Sequence, residues 1–238
     1  MNYAIELKNV SKDYTTGKIS VNALKNINIK IEKGELVAIM GPSGSGKSTL
    51  MHIIGLLDHP TKGQLLIDNN KVDLKMPDAK LAKLRSEKIG FVFQTFNLLS
   101  KISALENVLM PTQYRKIGKK GREKKALELL NEVGLTGREK HKPTELSGGQ
   151  VQRVAIARSL INNPDIILTD EPTGNLDSKS GKEIMDLLRN LNKKGKTVVI
   201  ITHDQGIADF ADRTIRILDG EVVGTNLKKD KKSQKGLK

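Results

Sequence analysis

The sequence of 238 residues predicts an α/β fold with a mostly parallel sheet. Two observations carry that expectation: short apolar runs of strand type recur along the chain, and segments with apolar residues at helical spacing separate them. In chain order, residues 4–10 and 24–31 read as strands by alternation, the second through Leu24, Ile27, Ile29 and Ile31. Residues 36–40 read as a buried strand that runs into a glycine loop, and Leu50, Ile53, Ile54 and Leu57 mark one face of the helix after it. From about 104 to 163 the pattern is helical, with Ala126, Leu127, Leu130 and Val133 on one face, and it reads as an inserted helical subdomain. Strand patterns return at 166–169, 197–201 and 213–218, and Ile184, Leu187, Leu188 and Leu191 form the stripe of a helix between the first two. Ligands of such sheets gather beyond the carboxyl ends of the strands, so the polar residues that follow each buried strand are the candidates for chemistry.

Composition narrows the function classes. A 37% hydrophobic share with 21 Gly is ordinary for a globular chain, and residues 1–227 read as one folded unit without repeats. No apolar run approaches the roughly 20 residues of a spanning helix, and the opening residues lack a signal-peptide pattern, so a cytoplasmic chain is expected. With no cysteine, thiolate zinc, iron–sulfur and cysteine-nucleophile chemistry are excluded, and any metal falls to oxygen or histidine ligands. The net charge of +14 is concentrated: residues 228–238 hold six Lys against one Asp, and residues 115–125 hold seven basic residues against Glu123 alone. Both runs read first as solvated chain, the last as a basic, disordered tail. Aromatic residues make up only 3%, so stacking platforms are scarce and no specific nucleic-acid partner is expected.

The strand at 36–40 is followed by Gly41-Pro42-Ser43-Gly44-Ser45-Gly46-Lys47-Ser48-Thr49, which fits the spacing of a phosphate-binding P-loop. Glycines let backbone N–H groups turn toward an anion, the helix start adds its positive end, Lys47 reaches the terminal phosphates, and the Ser48 hydroxyl can meet Mg²⁺. Such chemistry needs a metal-side carboxylate at the end of a neighbouring strand, and Asp170 stands after an apolar run. The adjacent Glu171 leaves an extended chain in another direction and can orient or deprotonate water. His203 follows the strand at 197–201 and is placed either for the γ-phosphate or simply beside a helix N-cap, since Thr202 and Asp204 both suit helix starts. Ser147, Gly148, Gly149 and Gln150 begin a helical pattern and form either a second anion site or an ordinary capped helix.

These segments, in this order, resemble the nucleotide-binding subunits of ABC transporters over residues 3–225. The match comprises the P-loop, Gln94 after Phe91-Val92-Phe93, the stretch Leu146-Ser147-Gly148-Gly149-Gln150, Asp170-Glu171, Asn175-Leu176-Asp177 and His203. The resemblance implies a P-loop NTPase core with an N-terminal antiparallel β portion and the helical insertion. It implies ATP held by Ser43, Gly44, Ser45, Gly46, Lys47, Ser48 and Thr49, with Tyr14 stacked on adenine. Gln94 would join Ser48 and Asp170 around Mg²⁺, Glu171 would be the catalytic base, and His203 would contact the γ-phosphate. Ser147, Gly148, Gly149 and Gln150 would grip the ATP of a second subunit in a homodimer or pseudo-symmetric dimer. The implied partner is a transmembrane permease, with the subunit peripheral on the inner face of the membrane and the Lys-rich tail available to anionic lipid. Segments such as 55–61, 93–99 and 104–108 are similar to the subgroup of macrolide and peptide exporters, lipoprotein-releasing systems and the cell-division ATPase. Val151 departs from the Gln or Arg common at that position, with little functional change expected.

A soluble ABC-type ATPase without a permease shares the same ATP chemistry, but the chain has no long heptad segment, zinc cysteines or second cassette. A GTPase switch would need a guanine-reading Asn-Lys-x-Asp stretch, and Asn192-Lys193-Lys194-Gly195 lacks the Asp.

Overall fold

The computed structural model describes residues 2–17, 19–73, 75–113 and 118–227, with the backbone alone for Lys119. The tail at 228–238 and residues 115–117 of the other basic run lie outside the described residues. The chain opens with β1 (Tyr3–Thr16) and β2 (Ile19–Glu32), then β3 (Leu36–Met40) leads into α1 (Lys47–Ile54). Next come β4 (Lys62–Ile67), β5 (Asn70–Lys71), α2 (Asp78–Lys88) and β6 (Ile89–Val92). Three helices follow, α3 (Ala104–Leu109), α4 (Lys119–Glu132) and α5 (Gly148–Leu160), with a 3₁₀ turn after α3 and another before α5. The remainder alternates: β7 (Ile166–Asp170), α6 (Ser178–Lys193), β8 (Thr197–Thr202), α7 (Gln205–Ala208), β9 (Arg213–Leu218) and β10 (Glu221–Leu227).

The strands form two sheets. An antiparallel sheet runs β2-β1-β4-β5, and a second runs β10-β9-β3-β8-β7-β6 with only β10 antiparallel to its neighbour. The parallel sheet is covered on both faces, and its strands show why they read as unbroken apolar runs. Val37 and Ile39 of β3 and Val199 and Ile201 of β8 enter one core, which they share with the antiparallel sheet and α1. Leu36, Ala38, Val198 and Ile200 enter the other, shared with α3, α4, α5 and α6. Among the described residues, no helix is long and apolar enough to cross a membrane.

Two helix faces differ from the sequence reading. Leu127 is 41% exposed, and Leu129 packs beside Ala126, Leu130 and Val133 instead. Leu57 lies past the end of α1 and is 46% exposed, because the helix stops at Ile54 and Leu56 turns away with φ 56°. The elements β4, β5, α2, β6, α7 and β10 carried no assignment from sequence, and β1 and β2 run longer than their alternating cores.

Register aligns the ends of the parallel strands. Met40 pairs with Thr202, Ile201 with Asp170, and Thr169 with Val92. The segments that leave these strands, beginning at Gly41, His203, Glu171 and Phe93, therefore emerge at one edge.

Candidate functional site

At that edge lies a cleft of about 860 Å³, lined among others by Ser43, Gly44, Lys47, Gln94, Asp170 and Glu171. Gly46, Ser48, Thr49 and His203 complete the sequence candidates found on its wall. The loop from Gly41 takes its shape from close approaches that side chains would block. A Cβ on Gly41 would stand 2.1 Å from the Ile217 carbonyl, and one on Gly46, at φ 99°, 2.5 Å from the Ala23 carbonyl. Gly46 is the N-cap of α1 and supplies no capping side chain, so the first N–H groups of α1 have no side-chain cap. Lys47 is buried and donates to the Pro42 carbonyl at 2.6 Å. Burial pushes its ammonium below the ordinary value, while the charges of Glu171 and Asp170 pull it back up. Ser45 faces inward, 2% exposed, with its N–H on the Pro42 carbonyl at 3.3 Å, so of the loop's candidates it alone is absent from the wall. Its carbonyl accepts from the Gly220 N–H at 3.1 Å, which ties the loop to the turn between β9 and β10.

Asp170 ends β7, and Glu171 turns out of the strand in the left-handed region at φ 43°, held by its N–H on the Ile201 carbonyl at 2.9 Å. Glu171 thus leaves β7 through a left-handed turn and not by strand alternation, and both carboxylates line the one cleft. Burial, then the Glu171 charge, push the Asp170 carboxyl above the ordinary range, while His52 and Lys47 pull it down from a distance. Glu171 accepts from the Thr202 hydroxyl at 2.9 Å, the His203 N–H at 2.8 Å and the His203 ring Nδ1 at 2.6 Å. That pairing escaped the sequence reading, which treated Glu171 and His203 separately. Asp204 caps α7, accepting from the Gly206 and Ile207 N–H groups, so His203 does stand beside a helix N-cap.

Ser48, Gln94 and Asp170 offer a hydroxyl, an amide and a carboxylate to one cleft. This hard oxygen set fits Mg²⁺, which takes few protein ligands where substrate phosphates supply others. Gln94 is held from behind: its carbonyl accepts from Asn175 Nδ2 at 2.9 Å, and a Cβ on Gly174 would stand 2.8 Å from its Nε2. Tyr14 is 40% exposed but lies outside the cleft lining. Its hydroxyl donates to Asp58 at 2.8 Å, and Lys12 Nζ lies over the ring at 4.8 Å from the centroid. Burial raises the Asp58 carboxyl, but hydrogen bonds from Lys12, Tyr14 and the His59 N–H outweigh it and hold it below the ordinary range. Asn22 and Lys25 of β2 in the antiparallel sheet, and Asp219 in the turn between β9 and β10, also line the cleft and were missed, since none of them shares a motif with the loop.

Ser147, Gly148, Gly149 and Gln150 are absent from the cleft wall. Ser147 is the N-cap of α5 in a capping box, with the Gln150 N–H donating to its hydroxyl at 3.3 Å and its own N–H donating to Gln150 Oε1 at 3.0 Å. Gly149 seats this turn against α6, where a Cβ would stand 3.0 Å from Ser180 Oγ. Buried Gln152 donates to the Pro172 carbonyl at 2.7 Å, joining α5 to the segment after Glu171.

Comparison with known proteins gives this arrangement a setting. A family model described as "ABC transporter" matches residues 24–174. The ABC transporter ATP-binding protein YvrO of Bacillus subtilis is 54% identical over 219 residues, covering 92% of this chain and 95% of that protein. The macrolide export ATP-binding/permease protein MacB of Escherichia coli is 51% identical over 223 residues, covering 94% of this chain but 34% of that protein. Among solved structures, the dimeric post-hydrolysis state of the cassette MJ0796 of Methanocaldococcus jannaschii, bound to ADP and Pi, is 53% identical with a TM-score of 0.85. That likeness covers 94% of this chain and 98% of the other.

Proposed function

The chain belongs to the ABC transporter family, as an ATP-binding cassette with ATPase activity, and from that premise we propose how its site is completed and what it drives. Two copies close on two ATP molecules, each nucleotide lying between the phosphate loop of one chain and the Ser147 end of α5 of the other. The observation that carries this reading is that Ser147–Gln150, a second helix N-terminus suited to an anion, is turned away from the cleft of its own chain. The dimer formed by the relative MJ0796 supports it.

In the closed site Lys47 and the N–H groups at the start of α1 bind the β- and γ-phosphates. Ser48, Gln94 and Asp170 would hold Mg²⁺, which would supply neutralisation of the phosphate charge. Glu171 takes a proton from the attacking water as the new oxygen–phosphorus bond forms and the bond to the β–γ bridging oxygen breaks, giving ADP and phosphate. His203, whose Nδ1 holds Glu171, orients that carboxylate and meets the γ-phosphate. Tyr14 receives adenine on its ring.

Closure drives a transmembrane permease on the inner face of a membrane. A groove of about 300 Å³ lined by Phe96, Leu98, Pro143, Leu146 and Val151 adjoins the Gln94 segment and would seat a helix of that partner. The six Lys of residues 228–238 would add up to about 1 kcal/mol each beside an anionic leaflet, so their removal should weaken binding to anionic vesicles and spare ATP hydrolysis.

Complementation tests the shared site. Lys47→Ala and Ser147→Arg should each be nearly inactive alone, whereas a mixture restores one site in each mixed dimer, built from intact Lys47 of one chain and intact Ser147 of the other. ATP hydrolysis or nucleotide-induced dimerisation must then exceed the sum of the separate variants. Strict additivity, with mixed dimers shown to form, overturns the shared site.

A further inference from the structure

The guanidinium of Arg158, near the end of α5, is spent on a single loop. Its Nη1 donates to the Asn97 carbonyl at 2.5 Å and its Nη2 to the Phe96 carbonyl at 2.9 Å. Those two residues are consecutive, both are left-handed, with φ 59° for Phe96 and 50° for Asn97, and neither is glycine. A pair of side-chain-bearing residues in that region persists only where the surroundings hold it. The loop's own bonds are tight but local: the Asn97 N–H donates to the Thr95 carbonyl at 2.6 Å, and Thr95 Oγ1 to Asn97 Oδ1 at 3.0 Å. Arg158 is the long-range mount, reaching 61 and 62 residues along the chain.

The cation has been given up to this duty. Arg158 is half-buried, burial lowers its pKa, and among the described residues no carboxylate pairs with it. Taking a charge partly out of water for two neutral carbonyls is unfavourable unless their placement matters. Two residues before the held turn stands Gln94, whose side chain lies in the cleft against Gly174.

We infer that Arg158 is a positioning residue for Gln94: by gripping the Phe96 and Asn97 carbonyls it keeps the left-handed turn, and through it holds the Gln94 amide where a divalent cation on the nucleotide is met. This rests on the reading of Gln94 as a metal-side ligand proposed above. The role differs from packing, because a packing residue would support the protein and its nucleotide equally with and without metal.

The test measures ATP affinity of the full chain in Mg²⁺ and in excess EDTA, and takes the ratio. Arg158→Gln should lower that ratio about tenfold, the loss that follows removal of a group orienting a metal ligand. Affinity in EDTA should change less than about twofold, as nothing in the phosphate loop is touched. Adding Asn97→Gly should restore the ratio, since glycine takes the left-handed turn unaided. Asn97→Val, at an exposed position with Arg158 intact, opposes the turn and should reproduce the loss, which keeps the test open should Arg158→Gln not fold. An unchanged ratio in Arg158→Gln or Asn97→Val, or a loss that Asn97→Gly fails to restore, overturns the inference. Gln94→Ala separates the two layers: if it lowers the ratio and Arg158→Gln does not, only the Arg158 inference falls, whereas if Gln94→Ala leaves it unchanged the metal-side reading falls and takes the inference with it.

Discussion

The starts of α1 and α5 are both glycine-rich helix N-termini with a serine nearby, yet they are finished in opposite ways. At α1 the N-cap is Gly46, no side chain caps the helix, and its start opens on a cleft that also holds Lys47 and two carboxylates. At α5 the N-cap is Ser147, and its hydroxyl and the Gln150 amide complete a reciprocal cap. The first end leaves its leading donors without any side-chain cap; the second engages the Ser147 and Gln150 N–H groups within its own chain, with no side-chain cap on those of Gly148 and Gly149. A helix start therefore shows an anion site by what it leaves undone and by its neighbours, not by its glycines. An end capped in this way suits a surface that must be stable alone, as the shared site proposed above requires.

Perturbations should reproduce this asymmetry. The largest effect belongs to the cleft of α1: Glu171→Gln should slow ATP hydrolysis by about 10²–10⁴ while ATP binding survives, the usual share of a positioned base. Single-turnover rates and nucleotide retention measure it, and near wild-type turnover would remove Glu171 from the role. Next, Lys47→Ala should weaken ATP binding by the chain about 10- to 100-fold, the scale of hydrogen bonds from a charged donor. Ser147→Ala should leave that binding within about twofold and instead cost about 1 kcal/mol of stability through the lost cap. Equal loss of ATP affinity in both variants, read by calorimetry at concentrations that keep the chain monomeric, would erase the distinction between the two helix starts.

The smallest effect concerns the mount of Tyr14 beside α1. Asp58 is held below the ordinary carboxylate range in the fold, so its contribution, at most about 1 kcal/mol, is complete above roughly pH 3.9, its unfolded value. The contribution is lost as pH falls through the lower folded value. Asp58→Asn should flatten that part of the urea midpoint's pH profile and leave neutral ATP hydrolysis unchanged within about twofold. An unaltered acid limb would show that the Lys12 and Tyr14 bonds carry no net stability.

Much of this site is legible in the sequence because its residues follow buried strands, and apolar runs in a sheet covered on both faces are a strong signal. Asp170 and His203 were found by that rule, Glu171 as the neighbour of Asp170, and the loop from Gly41 by its glycine and lysine spacing after such a strand. What escaped was geometry made by backbone that sequence does not advertise. Glu171, Phe96 and Asn97 are left-handed without being glycine, so neither the pairing of Glu171 with His203 nor the grip of Arg158 has a local signature. The face of α4 was misjudged at Leu127 because its helix carries apolar residues at both 126–127 and 129–130, and spacing alone does not say which pairs face the core. Strand β10 and the antiparallel sheet's β4 and β5 lacked strong alternation, since much of each is exposed.

The bond from Gly220 to Ser45 has a consequence for the order in which the protein is made. Its two ends lie 175 positions apart, so at ribosomal speeds of about 5–20 residues per second the second end is synthesised roughly 9–35 s after the first. The Ile217 carbonyl that crowds Gly41 arrives almost as late, as does β9, which pairs directly with β3. A nascent chain released just after His203 would contain every candidate nucleotide ligand and still lack the strand and turn that fasten its phosphate loop, so translation reaches the ligands before it reaches their lock.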